Sequence, residues 1–154
     1  MKKALLVVLI AMGMVVAVSA QESVTEMKYF SIESSVVMGY SIPDEKVVGG
    51  SSFLLDFAVA DNFALGVQTM MFNTSTVAAM KLGFYMNESL GFAATFGTSG
   101  TIGYFGVGAF MNLLKNASDT GLSNAIKLRL EYLFPETGIG DGLIALTAGF
   151  GLGL

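Results

Sequence analysis

Apolar side chains recur at every second position in run after run of this chain, and turn-forming residues separate the runs. In one segment Leu122, Ile126, Leu128, Leu130, Tyr132 and Phe134 share one parity, while Ser123, Ala125, Lys127, Arg129 and Glu131 share the other. Residues at i and i+2 lie on one face of a strand, so this spacing predicts β structure with one greasy face. The same reading gives eight strands, at about 28–40, 52–60, 63–72, 76–86, 89–98, 101–113, 122–134 and 143–154. Phe30, Ile32, Val36 and Met38 form the apolar face of the first; Phe53, Leu55, Phe57 and Val59 that of the second. In the fifth, Leu90, Phe92, Ala94 and Phe96 oppose Ser89, Gly91, Ala93, Thr95 and Gly97. In the last, Ile144, Leu146, Ala148, Phe150, Leu152 and Leu154 oppose Ala145, Thr147, Gly149, Gly151 and Gly153. The breaks carry Pro43, Gly49-Gly50, Asp61-Asn62, Asn73, Asn87, Gly100, Asn116 to Gly121 and Pro135 to Gly142, all turn chemistry. Both prolines fall in breaks, as continuous strand pairing elsewhere requires.

Charge decides which face points where. Glu33, Asp56, Lys81, Lys127, Arg129 and Glu131 lie well inside strands, and all fall on the parity opposite the apolar face. That opposite face is otherwise rich in Gly, Ala and Ser. A soluble lipocalin-like barrel or sandwich would put apolar residues inside and many more Lys and Glu outside. Facing lipid, an Arg or Lys would cost about 2–4 kcal/mol at the midplane. The charged face must therefore look into a closed interior, and closure is needed in any case because open strand edges do not exist in hydrocarbon. The expected fold is all-β: an eight-stranded antiparallel up-and-down transmembrane β-barrel. Ignoring shear, Glu33, Asp56, Lys81 and Lys127 fall at similar depth, with Arg129 and Glu131 one and two steps further along. A structural network of paired charges is expected there, since buried ions persist when paired.

Composition adds a compartment. Lys2 and Lys3, the apolar run Ala4–Val18 and the small residues of Val18-Ser19-Ala20 read as a secretory signal helix cleaved after Ala20. An uncleaved anchor is the rival, but a spanning helix wants about 20 apolar residues. The expected organisation is a signal over 1–20, a short segment over 21–27 and a barrel over 28–154. Removing Lys2 and Lys3 from eight basic residues leaves six against twelve acidic ones, net −6. Such a chain has no basic stripe for nucleic acid. It contains no Cys and no His. Disulfides are thereby excluded, and so is the usual proton carrier near neutrality. A buried carboxylate such as Glu33 could act as a base, but a structural ion pair is the simpler reading, so neither catalysis nor a cofactor or metal is expected. Asn73, Asn87 and Asn116 head glycosylation-like triplets that read here as turn residues, and Gly138-Ile-Gly-Asp-Gly142 reads as a loop.

In this architecture the chain resembles the small eight-stranded outer-membrane barrels of diderm bacteria, the OmpX, OmpW and OmpA-barrel group. Thr147, Gly149, Leu152 and Leu154 match the spacing of that group's C-terminal insertion signal, although the group usually ends on Phe where this chain has Leu154. The chain also has no Trp, which leaves the aromatic belts to Phe53, Phe63, Phe84, Phe96, Tyr132 and Phe134. The resemblance implies an outer-membrane location, contact with its lipids, recognition of the last strand by the barrel-assembly machinery, and export by the translocon through residues 1–20. It also implies that loops Ser41–Ser51 and Pro135–Gly142 face outside. The expected function is a barrel with a side-chain-plugged lumen and a structural or surface-interaction role. The alternative is a narrow channel for small solutes or hydrophobic compounds.

Overall fold

The computed structural model describes residues 30–60, 62–73, 75–87, 89–117, 123–138 and 141–153. The signal over 1–20, the segment over 21–27 and Leu154 lie outside them. Eight strands close into one barrel, each paired antiparallel with its sequence neighbour and the last with the first. They are β1 (Phe30–Ser41), β2 (Lys46–Ala60), β3 (Phe63–Phe72), β4 (Thr76–Tyr85), β5 (Leu90–Ser99), β6 (Ile102–Ala117), β7 (Ser123–Pro135) and β8 (Leu143–Gly153). The β1–β2, β3–β4, β5–β6 and β7–β8 connections mark one end, called the loop end below; the start of β1 and the end of β8 mark the terminal end.

Two connections show why the chain turns where it does. Ser99 faces Ile102 across a two-residue link in which Gly100 has φ of 61°. A two-residue hairpin favours a left-handed first position, which glycine takes without a Cβ penalty. The β1–β2 link is tighter than the sequence suggests. Gly49, Gly50 and Ser51 do not form a loop; they pair with Met38, Val37 and Val36, and the register continues to Ser41 opposite Lys46. The turn is Ile42-Pro43-Asp44-Glu45, held by the Ser41 hydroxyl donating to Asp44 Oδ2 at 2.9 Å, with Glu45 at a φ of 51°. The expected loop Ser41–Ser51 is thus mostly strand: two glycines weaken a strand but do not end one when a neighbouring strand supplies ladder partners.

Register fixes the shape. Following partners from Ser31 through Asp56, Gly66, Lys81, Thr95, Gly106, Leu133 and Leu143 returns to β1 at Ser41, ten residues above the start. With about 3.3 Å per residue and about 4.8 Å between strands, that shear tilts the strands roughly 40° from the barrel axis. Each step around such a row then climbs about 3 Å toward the loop end.

The faces are those of a transmembrane barrel, apolar outside and charged within. Val36 is 64% exposed, and Phe53, Phe57, Val67, Met80, Leu82, Phe96, Leu146 and Phe150 also face outward. Outer aromatics pair across strands. Phe30–Phe57 and Phe63–Phe84 stand near the terminal end, each with ring centroids 5.1 Å apart. Nearer the loop end a continuous series runs from Phe96 to Phe105 to Phe134 to Tyr132. Such pairs contribute about 0.5–1.5 kcal/mol beyond area burial. Leu90 departs from the expected outer face: it is buried where the β4–β5 turn folds over it, its N–H donating to Asn87 Oδ1 at 2.8 Å.

Candidate functional site

The interior is layered along the axis. Nearest the terminal end, Tyr85 of β4 meets Phe110 of β6 edge to face, with centroids 4.7 Å apart. The charged side chains stand at and above this level, interleaved with Ser35, Ser52, Gln68, Thr95 and Thr147, all buried. Gln68 Nε2 donates to Ser52 Oγ at 3.1 Å, and the Ser35 hydroxyl donates to the Ser52 carbonyl at 3.3 Å.

All six charged residues point inward and are buried. β7 carries Lys127, Arg129 and Glu131 at alternate positions, so strand geometry alone aims all three at the lumen. Arg129 Nη2 donates to Glu33 Oε2 at 2.7 Å, and Lys127 Nζ stands 3.7 Å from the same oxygen. Both cations on β7 reach across β8 to β1. Gly151 of β8 makes this possible: a Cβ there would lie 2.9 Å from Lys127 Cε. The second cluster spans the barrel. Lys81 Nζ of β4 is 2.6 Å from Glu131 Oε1 of β7, and the Thr95 hydroxyl donates to that oxygen at 2.9 Å. Gly108 leaves the room for this carboxylate, since a Cβ there would lie 2.6 Å from Glu131 Cγ.

Asp56 takes no part in those three ion pairs and lies against Gly66. Glu33, Asp56 and Lys127 stand at similar depth, as expected, but the shear lifts Lys81 away from them. Lys81 is two row steps from Asp56, so it stands about 6 Å nearer the loop end. It therefore meets Glu131 instead. The charges form a climbing array of two clusters, not a ring.

Above the array the inner face changes character. Val37, Met70, Phe72, Val77, Ala79, Leu133 and Ala145 form one buried apolar cluster, with Val48, Tyr104 and Leu143 packed on it. Alternation alone predicts an inner face of small and polar residues and does not show this layer. The available signal was that Val36-Val37-Met38, Met70-Met71-Phe72 and Tyr132-Leu133-Phe134 are apolar on both parities. Of the four residues of the C-terminal pattern, Thr147 is buried inside, Gly149 faces in against Ser35, and Leu152 is exposed outside.

No group of three or more Asp and Glu side chains gathers as a metal site among the described residues. No family model matches the chain, and no curated protein does. A solved structure described as "De novo design of transmembrane beta-barrels" is similar, with a TM-score of 0.48 and 16% identity, covering 84% of this chain and 100% of that one.

Proposed function

We propose that this chain is an integral outer-membrane barrel of a diderm bacterium, of the OmpX, OmpW and OmpA-barrel kind, with a lumen filled by its own side chains and a structural or surface-interaction role. The observation that carries this reading is the inverted polarity of the wall. Arg129 and Glu33 are 3% and 1% exposed inside, whereas Val36 and Val59 are 64% and 65% exposed outside. Water would penalise that outer surface over its whole circumference, and hydrocarbon would not. Bilayer insertion as strands also satisfies every backbone group through closure.

Filling follows from barrel size and from the side chains. Eight strands leave a bore about as wide as the side chains that line it. Here ion pairs occupy the terminal half and apolar residues the loop half. Residues 1–20 serve as the export signal, and the strand carrying Thr147, Gly149 and Leu152 is what the assembly machinery engages.

Two measurements test it. The mature chain extracted from outer membranes should run compact on an unheated gel and shift on boiling. Planar-bilayer recordings should be silent. A processed chain that dissolves as a compact monomer without detergent would refute the membrane reading, and discrete openings would favour a solute channel.

A further inference from the structure

The two halves of the interior differ in what they offer water, and this locates the barrier. The apolar cluster draws Val37 from β1, Met70 and Phe72 from β3, Val77 and Ala79 from β4, Leu133 from β7 and Ala145 from β8. Val48 of β2 and Tyr104 of β6 pack onto it. The remaining strand, β5, presents Gly97, where a Cβ would lie 2.7 Å from Ala79 Cβ, so the cluster is pressed against that backbone too. The layer therefore spans the cross-section. Met70, Leu133 and Ala145 have no exposure to solvent.

The polar half below is different. Arg129 Nε and Nη1, Glu33 Oε1, Glu131 Oε2, Gln68 Oε1 and Thr147 Oγ1 are buried and have no hydrogen-bond partner among the described residues. Buried donors and acceptors need partners, and a molecule the size of water, offering both functions, suits this mixed set. Residual exposure among the six charged residues is greatest at Asp56 (9%) and Lys127 (7%). These two lie lowest, toward the terminal end.

We propose that the polar half of the lumen is a blind, hydrated pocket reached past Asp56 and Lys127 from the terminal end, and that the apolar layer, not the ion-pair array, is the barrier to ions. The inference rests on the filled-lumen reading and places the block within it. Hydrophobic constrictions stop ions by excluding water, whereas ion pairs in a hydrated pocket can rearrange around a passing ion.

The test uses the full chain, with folding of each variant verified by its heat-shifted mobility. In planar bilayers the unaltered chain and Lys81→Met/Glu131→Gln should both be silent, while Phe72→Ala/Leu133→Ala should show openings. Conduction by the Lys81→Met/Glu131→Gln variant, or silence of the folded apolar variant, overturns the inference and leaves the filled lumen standing. Openings by the unaltered chain overturn the filled-lumen reading itself. A second measurement does not depend on the double truncation folding. The chain lacks cysteine, so Ser35→Cys and Val37→Cys, neighbours on one face of β1, can each be tested with a small charged thiol reagent in lipid vesicles. Ser35→Cys should react at least tenfold faster; equal or reversed rates overturn the proposal.

Discussion

The Lys81–Glu131 pair allows the sharpest test of how the interior is held. The side chains are 3% and 0% exposed, and the 2.6 Å contact crosses the bore between β4 and β7, three strands apart. Lys81→Met keeps the length of the stem and removes the ammonium. Glu131 then retains the Thr95 hydroxyl, a neutral donor at 2.9 Å, and loses its cation. Removing one partner of a buried pair costs about 3–5 kcal/mol, because the other charge is left uncompensated. The double variant Lys81→Met/Glu131→Gln leaves no orphan charge. Its Gln can still accept from Thr95. Replacing a buried pair with neutral groups is often close to neutral, so the double variant should lie within about 1.5 kcal/mol of the unaltered chain. Glu131→Gln alone should cost a similar amount, so the two single losses together should exceed the loss in the double variant by at least about 4 kcal/mol. The assay is reversible urea unfolding in lipid vesicles, followed by gel mobility and far-UV dichroism. A Lys81→Met variant within 1 kcal/mol of the original, or a double variant as unstable as the sum of the singles, would refute a stabilising contact across the lumen.

Other outcomes follow from the same geometry. Glu33→Gln should destabilise by about 3–5 kcal/mol, more than Lys127→Met, because it leaves both Arg129 and Lys127 without their shared carboxylate; equal effects in the urea assay would contradict that. Val36→Arg, on the lipid-facing wall of β1, should cost about 2–4 kcal/mol in bilayers, and an unchanged midpoint would deny lipid contact there. Gly151→Leu should displace the Lys127 stem and lower stability by about 1–3 kcal/mol, measurable as a lower temperature of the gel-mobility shift. Gly100→Val should cost about 1–2 kcal/mol through its positive φ alone, with the circular-dichroism spectrum of the folded barrel unchanged.

Alternation carried a large part of this architecture. Leu128-Arg129-Leu130-Glu131 can be a strand in only one orientation, because reversing it would place an Arg and a Glu in lipid and two leucines among ion pairs. The number of strands, most turn positions and the inward direction of all six charges came from such stretches. Alternation is silent where both parities are apolar, as at Val36-Val37-Met38, Phe53-Leu54-Leu55 and Met70-Met71-Phe72. Val37, Met70 and Phe72 of the apolar layer come from such stretches, where double apolarity was the signal but parity could not say which side chain turns inward.

Pairing between strands was equally out of reach. A sequence fixes which side of its own strand a residue occupies, since the pleat has a period of two. It does not fix how far one strand slides past the next. That offset, accumulated to ten residues around the barrel, comes from closing the sheet and packing its contents. It lifts Lys81 away from Asp56 and toward Glu131, and it lets Arg129 and Lys127 converge on Glu33 over Gly151. The inward charges were therefore a property of the chain, and their partners a property of the closed barrel.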